Sequence, residues 1–188
     1  MNLLKDKTFV KFVLKFLALF GIFYYGTLLV IGLAAQGGMY SAFVDKHLDY
    51  VSGITRTLVG GTRGLLQIAG IETYTLPNFI IRITGGTGVR IAFDCVGYGV
   101  MSFWLAFVLA SKGRAVRKLI WVLIGWIILW FININRIALL LLAYNRDWKM
   151  PLGIDHHTWF NIVAYGAIFL MMYIFEKDNR KISEKYAG

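Results

Sequence analysis

From Phe16 to Tyr40 the chain carries no charged residue, the same is true from Val96 to Ser111, and Lys118 and Arg136 enclose a third uncharged run. Runs of this kind admit few folds. At ~1.5 Å per residue, about 20 residues of helix cross the ~30 Å hydrocarbon layer of a bilayer, where each backbone amide must find its partner inside its own helix or in a closed barrel. Composition points the same way. Of 188 residues 58% are hydrophobic and 16% charged, mean hydropathy is +0.63, and 14 Phe, 10 Tyr and 6 Trp exceed what a soluble domain of this size buries. The expected fold class is an all-α polytopic membrane protein with about four transmembrane helices.

Taken in order, the chain opens with Lys5, Lys7, Lys11 and Lys15 ahead of the first uncharged run. A basic start and an apolar middle also describe a signal peptide, but this middle is too long and no small-residue cleavage site stands near Gln36. Residues 1–40 therefore read as a retained anchor helix. In Ser41 to Gly70, Val44, Leu48, Val51, Ile54 and Leu58 recur at helical spacing, with Asp45, Asp49, Ser52, Arg56 and Arg63 on another face. This predicts an amphipathic helix at the membrane surface, weakened near Gly60 and Gly61. Pro77 and Asn78 then introduce two β-rich runs around a glycine turn, Ile80 to Phe93, which read as a hairpin. A second span is expected from about Cys95 to Ala110 and a third from Leu119 to about Phe131, with Ile137 to Tyr144 either continuing it or turning back. The last begins near Asp155-His156-His157 and ends at Phe175. The whole reads as one integral membrane domain, 1–188: anchor 1–40, external amphipathic helix and hairpin 41–94, core 95–176, basic tail 177–188.

Orientation follows from the cations. The amino terminus holds four, the loop with Lys112, Arg114, Arg117 and Lys118 four, and the tail with Lys177, Arg180, Lys181 and Lys185 four; these segments are assigned to the cytoplasm. The net charge of +10 is thus spent on topology, bracketing apolar runs instead of forming a continuous patch, which argues against a nucleic-acid partner. The hairpin, Cys95, Arg136 and His157 then converge on the outer face, and the lipid bilayer is the expected partner.

Cys95 is the single cysteine, so no internal disulfide exists in this chain. Asp94 suits a helix N-cap, which would set Cys95 in the first helical turn, where free N–H groups favour a thiolate. A lone cysteine also serves as a small core hydrophobe. His157 would be the base that activates the thiol and later the acid for the leaving amine, with His156 as the alternative. Arg136, costly at an apolar boundary, would stabilise an oxyanion or fix a carboxylate, or else snorkel to the interface. No cofactor is expected. Asp155, His156, His157 and Cys95 are metal-ligand types, but adjacent histidines diverge by ~100° on a helix, so no metal is expected either.

Three stretches together resemble the exosortase and archaeosortase membrane cysteine transpeptidases: a strand leading into Cys95-Val96-Gly97, then Asn133-Ile-Asn-Arg136-Ile137, then His157-Thr-Trp-Phe-Asn161. The resemblance covers roughly Pro77 to Phe175. It departs from the family's usual small residue at Val96 and glycine at Asn161. The resemblance implies that Cys95 is the nucleophile, with Arg136 and His157 as its catalytic partners. It also implies substrates that are exported proteins ending in a short motif, a transmembrane helix and a basic tail, cleaved before the helix through an acyl-enzyme at the outer face of the cytoplasmic membrane. The competing class is a non-enzymatic assembly factor or small transporter of the same fold; polar residues gathered at one interface argue against a pore.

The cation count generates a topology test. Reporters fused after Gly37 and Asn145 are expected outside, and those after Gly113 and Gly188 inside; an external carboxyl terminus would break the shared face.

Overall fold

The architecture was obtained as a computed structural model. It describes residues 6–35, 39–146, 148 and 156–185, without the side chains of 94, 156, 157, 160 and 180–185. The protein is mostly helical, with one small sheet. Helix α1 (Lys7–Ala34) starts where the Asp6 carboxylate accepts the amides of Thr8 and Phe9 at 2.8 and 3.4 Å. A six-residue α2 (Ala42–His47) and the longer α3 (Tyr50–Ile68) follow. The sheet is β1 (Thr73–Leu76), β2 (Ile80–Ile83) and β3 (Gly88–Arg90), and helices α4 (Tyr98–Ala110), α5 (Ala115–Asn145) and α6 (His156–Lys185) complete the chain.

The segment expected as one surface helix is two. The chain breaks at Leu48-Asp49, where Asp49 caps α3 by accepting the amide of Ser52 at 3.0 Å. It then runs unbroken through Gly60 and Gly61, the expected weak point. Gly61 is needed there because a Cβ would strike Ile134 of α5. The buried stripe of α3, which includes Val51, Thr55, Leu58, Thr62 and Leu66, packs on α5. Ser52, assigned from the sequence to the polar face, lies inside it. The reason is tertiary: α3 has a protein neighbour where the sequence pattern indicated a lipid surface.

The expected hairpin pairs as β2 with β3, Ile80 opposite Arg90 and Ile81 opposite Val89, and β1 adds a third antiparallel strand, Leu76 opposite Ile80. The meander is docked on the far end of α5. Asn145 Oδ1 accepts the Thr87 amide at 2.7 Å, and its Nδ2 donates to Leu141 O at 2.8 Å.

Helix α5 resolves the alternative left open at Ile137 to Tyr144: it is continuous for 31 residues, about 46 Å. Its carboxyl-terminal half carries one core, with Ile134, Ile137 and Leu141 against Val51 and Leu58 of α3, Ile81 of β2, and Val96. Its amino-terminal half carries another, with Val122 and Leu129 against Trp104 and Val108 of α4 and Ile168 and Phe175 of α6. Helices α1 and α5 are each long and apolar enough to cross a membrane, each with an 18-residue stretch whose mean hydropathy is 2.1 and 2.0 respectively. The expected second span is shorter than its sequence suggests. Helix α4 has 13 residues, about 20 Å, because it begins only at Tyr98. Helix α6 carries no charged residue from 156 to 175 and then stays helical through the basic segment to Lys185.

Helix α1 meets α4 through rings spaced one turn apart. Phe12, Phe16, Phe20 and Tyr24 face Phe107, Phe103 and Tyr98, with edge-to-face centroid distances of 5.9 Å for Phe12–Phe107 and 5.1 Å for Phe16–Phe103. The opposite side of α1 is bare: Leu14, Ile22 and Tyr25 are 62, 65 and 69% exposed, as a lipid-facing surface would be.

Trp104 is fully buried and donates its indole N–H to Trp121 O at 3.0 Å, lying where Gly125 has no side chain. Gly125→Ala drives a methyl into that indole and is expected to cost about 1–3 kcal/mol, read as a lower melting temperature in detergent. Gly60→Ala, whose added carbon meets nothing within 4 Å, is expected to raise stability by up to about 1 kcal/mol.

Candidate active site

Cys95 does not stand in the first turn of a spanning helix, and Asp94 is not that helix's N-cap. Phe93–Val96 form a short 3-10 turn preceded by Ala92, and the Cys95 amide already donates to Ala92 O at 2.9 Å. Gly97 follows at φ +78°, a left-handed conformation that no α-helix contains, so α4 can start only after it. The thiol therefore sits on a hinge between sheet and bundle, half-buried, and the free-amide argument for a thiolate does not apply to it. The side chains of Asp94, His156 and His157, and all of Asp155, lie outside the described residues; the backbone of α6 starts at His156.

Two side chains of α5 reach this turn. Arg136, half-buried, directs Nη2 at Cys95 Sγ from 3.9 Å, across 41 positions of sequence. One turn earlier, Asn133 is 2% exposed and donates from Nδ2 to Cys95 O at 2.8 Å and to Val96 O at 3.0 Å. Residues three apart on a helix share a face, so one surface of α5 holds both the backbone of the turn and its sulfur. Asn135, between them, faces elsewhere and returns its amide to Phe131 O at 2.8 Å.

Asn133 is the site residue that the sequence reading quoted in a motif but gave no role. The signal was available: an uncharged polar side chain within an apolar span faces protein far more often than lipid. From the other side the meander supports the turn. Phe79 stacks edge-on against Phe93 at 6.2 Å, and its carbonyl accepts the Ile91 amide at 3.0 Å. Phe79 and Asn78 both hold positive φ, 59° and 61°, an unusual setting for a bulky residue and one that the surrounding contacts must maintain. Among the described residues no three His, Cys, Asp or Glu gather as metal ligands would.

Residues 51–174 match the family model of the transmembrane exosortases, two thirds of the chain. The chain belongs to the transmembrane exosortase family. It is a membrane protein with an exosortase-like function. No curated protein and no solved structure matches it. The matched region of this exosortase runs from the start of α3 to the last uncharged turn of α6, so it includes the thiol turn, the meander and the Asn133–Arg136 face and leaves out α1.

The Asn133 contacts generate a second test. Asn133→Leu keeps the volume but strips two buried carbonyls of their donor, and is expected to destabilise by about 1–3 kcal/mol. The freed turn should also change the rate at which Cys95 reacts with a maleimide in detergent. An unchanged rate would mean that the turn holds itself.

Proposed function

We propose that this exosortase is a cysteine transpeptidase or protease that cleaves the carboxyl-terminal sorting signals of exported proteins at the outer face of the cytoplasmic membrane. The observation that carries this reading is the Arg136 guanidinium directed at Cys95 Sγ. A guanidinium at that distance stands ready for negative charge developing on a carbonyl oxygen that the sulfur attacks.

In the reaction we envisage, His157 takes the proton of the Cys95 thiol and the resulting thiolate attacks the carbonyl carbon ahead of the substrate's transmembrane helix. The tetrahedral intermediate collapses to a thioester, and His157 gives its proton to the departing amine. The acyl group then passes to water or to a second nucleophile. Arg136 faces the sulfur and the oxyanion, while Asn133 holds the backbone on which the sulfur is mounted. Four spans, with both termini in the cytoplasm and 1–188 as a single membrane domain, put the thiol turn and the amino-terminal end of α6 on the outer side. Substrate and enzyme would then meet within the bilayer, the substrate's basic tail remaining inside.

The test uses an exported protein from the same genome that ends in a short motif, an apolar helix and a basic cluster, co-expressed with the exosortase and followed by loss of its tail. Cys95→Ser is expected to insert normally and release no tail. His157→Ala should stop release and His156→Ala should not. Arg136→Lys keeps the charge but loses the planar fork, and most of the activity should go with it. Undiminished release by Cys95→Ser would overturn the assignment.

A further inference from the structure

At the end of the bundle opposite the thiol turn, the start of α1, the α4–α5 loop, the start of α5 and α6 border an open cavity of about 1580 Å³. Its polar rim is unbalanced: Lys11, Lys15, Lys112, Arg114 and Arg117 stand against two carboxylates, Asp6 and Glu176. Asp178 pairs with Arg117, and the charge that bears on a ligand is that of the three lysines of the rim, Lys11, Lys15 and Lys112. The remaining charge is concentrated. Lys15 and Lys118 both donate to the single carbonyl of Leu109, at 2.9 and 3.2 Å, so two ammonium groups stand within about 6 Å of each other, an arrangement that a shared anion would relieve. The start of α5 forms part of the same wall. No side chain caps it and no acidic residue occupies its first turn, so its opening amides and dipole favour an anion as well.

Below this rim the cavity is apolar. Phe9, Val116, Ile120 and Phe169 line it and are 38, 72, 50 and 67% exposed. A free inorganic anion would satisfy the rim and leave these surfaces bare, whereas a basic peptide tail would be repelled by the rim. We infer that this cavity is a binding site for an anionic glycerophospholipid, its phosphate held by Lys15 and the α4–α5 loop, with the Lys118 charge close behind, and its acyl chains lying against the phenylalanines. The combination is that of a basic pocket between transmembrane helices, which takes anionic headgroups where a flat basic patch only attracts them. The inference does not depend on the chemistry proposed for Cys95.

The experiment is native mass spectrometry of the full chain in detergent, with melting temperature as a parallel reading. Dioleoylphosphatidylglycerol, dioleoylphosphatidylcholine and inorganic phosphate are compared. Phosphatidylglycerol is expected to remain bound and to raise the melting temperature, phosphatidylcholine to be lost, and phosphate alone to do neither. Lys15→Gln and Lys118→Gln should each weaken retention about fivefold. Because both also hold Leu109, Lys112→Gln in the exposed loop is the second variant and should weaken it by a similar factor, while Lys46→Gln, on α2 outside the cavity, leaves it unchanged. Equal retention of the two lipids, equal stabilisation by phosphate alone, or indifference to both Lys15→Gln and Lys112→Gln would overturn the site.

Discussion

One amide holds the candidate site together. Where Gly97 takes its left-handed turn, the carbonyls of Cys95 and Val96 fall outside the regular ladder, and the first helical acceptor of α4 is Gly97 itself, bonded to the Met101 amide at 3.0 Å. A carbonyl left unpaired in such an apolar setting costs free energy that folding must recover elsewhere. Asn133 satisfies both from the neighbouring helix. Because Arg136 lies one turn further along the same face, satisfying the backbone of the turn also brings a guanidinium to its sulfur. Position of the thiol and charge beside it thus follow from a single rigid element, and neither depends on the mobility of a loop.

Much of the fold was legible because bilayers impose simple rules. The uncharged runs became helices, the glycine turn after Ile83 became the β2–β3 connection, and Arg136, singled out for the cost of its charge, lies against Cys95. What escaped was decided by contacts far apart in the sequence or by one dihedral angle. The pattern Asp94-Cys95 looks like a helix start, and only the left-handed backbone of Gly97 moves that start three residues on. The polar group Asn133 to Arg136 could equally end a span or face protein; Asn133 and Arg136 face protein, and α5 is continuous through them. Strand β1 alternates Thr73 and Thr75 with Tyr74 and Leu76, but four residues are too few to separate it from the loop ahead of Pro77. The stripe on α3 was visible, but what covers it was not, since amphipathic helices against lipid and against protein present the same periodicity.

Helix α5 also explains how the two cores are joined. Its first half is one wall of a bundle with α4 and α6, its second half one wall of a head with α3 and the meander, and no hinge lies between. The thiol turn sits where the two cores meet, with Val96 buried in the head and Gly97 opening the bundle.

The family match begins at residue 51, so α1 stands outside it, yet α1 is joined to α4 by more than proximity. Its rings fall at every fourth position, and the last of them, Tyr24, touches Tyr98 at 5.6 Å, three residues beyond Cys95. A helix read in steps of four tolerates length changes only at its ends. One residue added between Phe12 and Tyr24 would swing the rings beyond it by ~100° around the axis, away from α4 and into lipid. Residues ahead of Phe12 are free of that arithmetic, so a length change there leaves the inner three turns of α1 phased to α4.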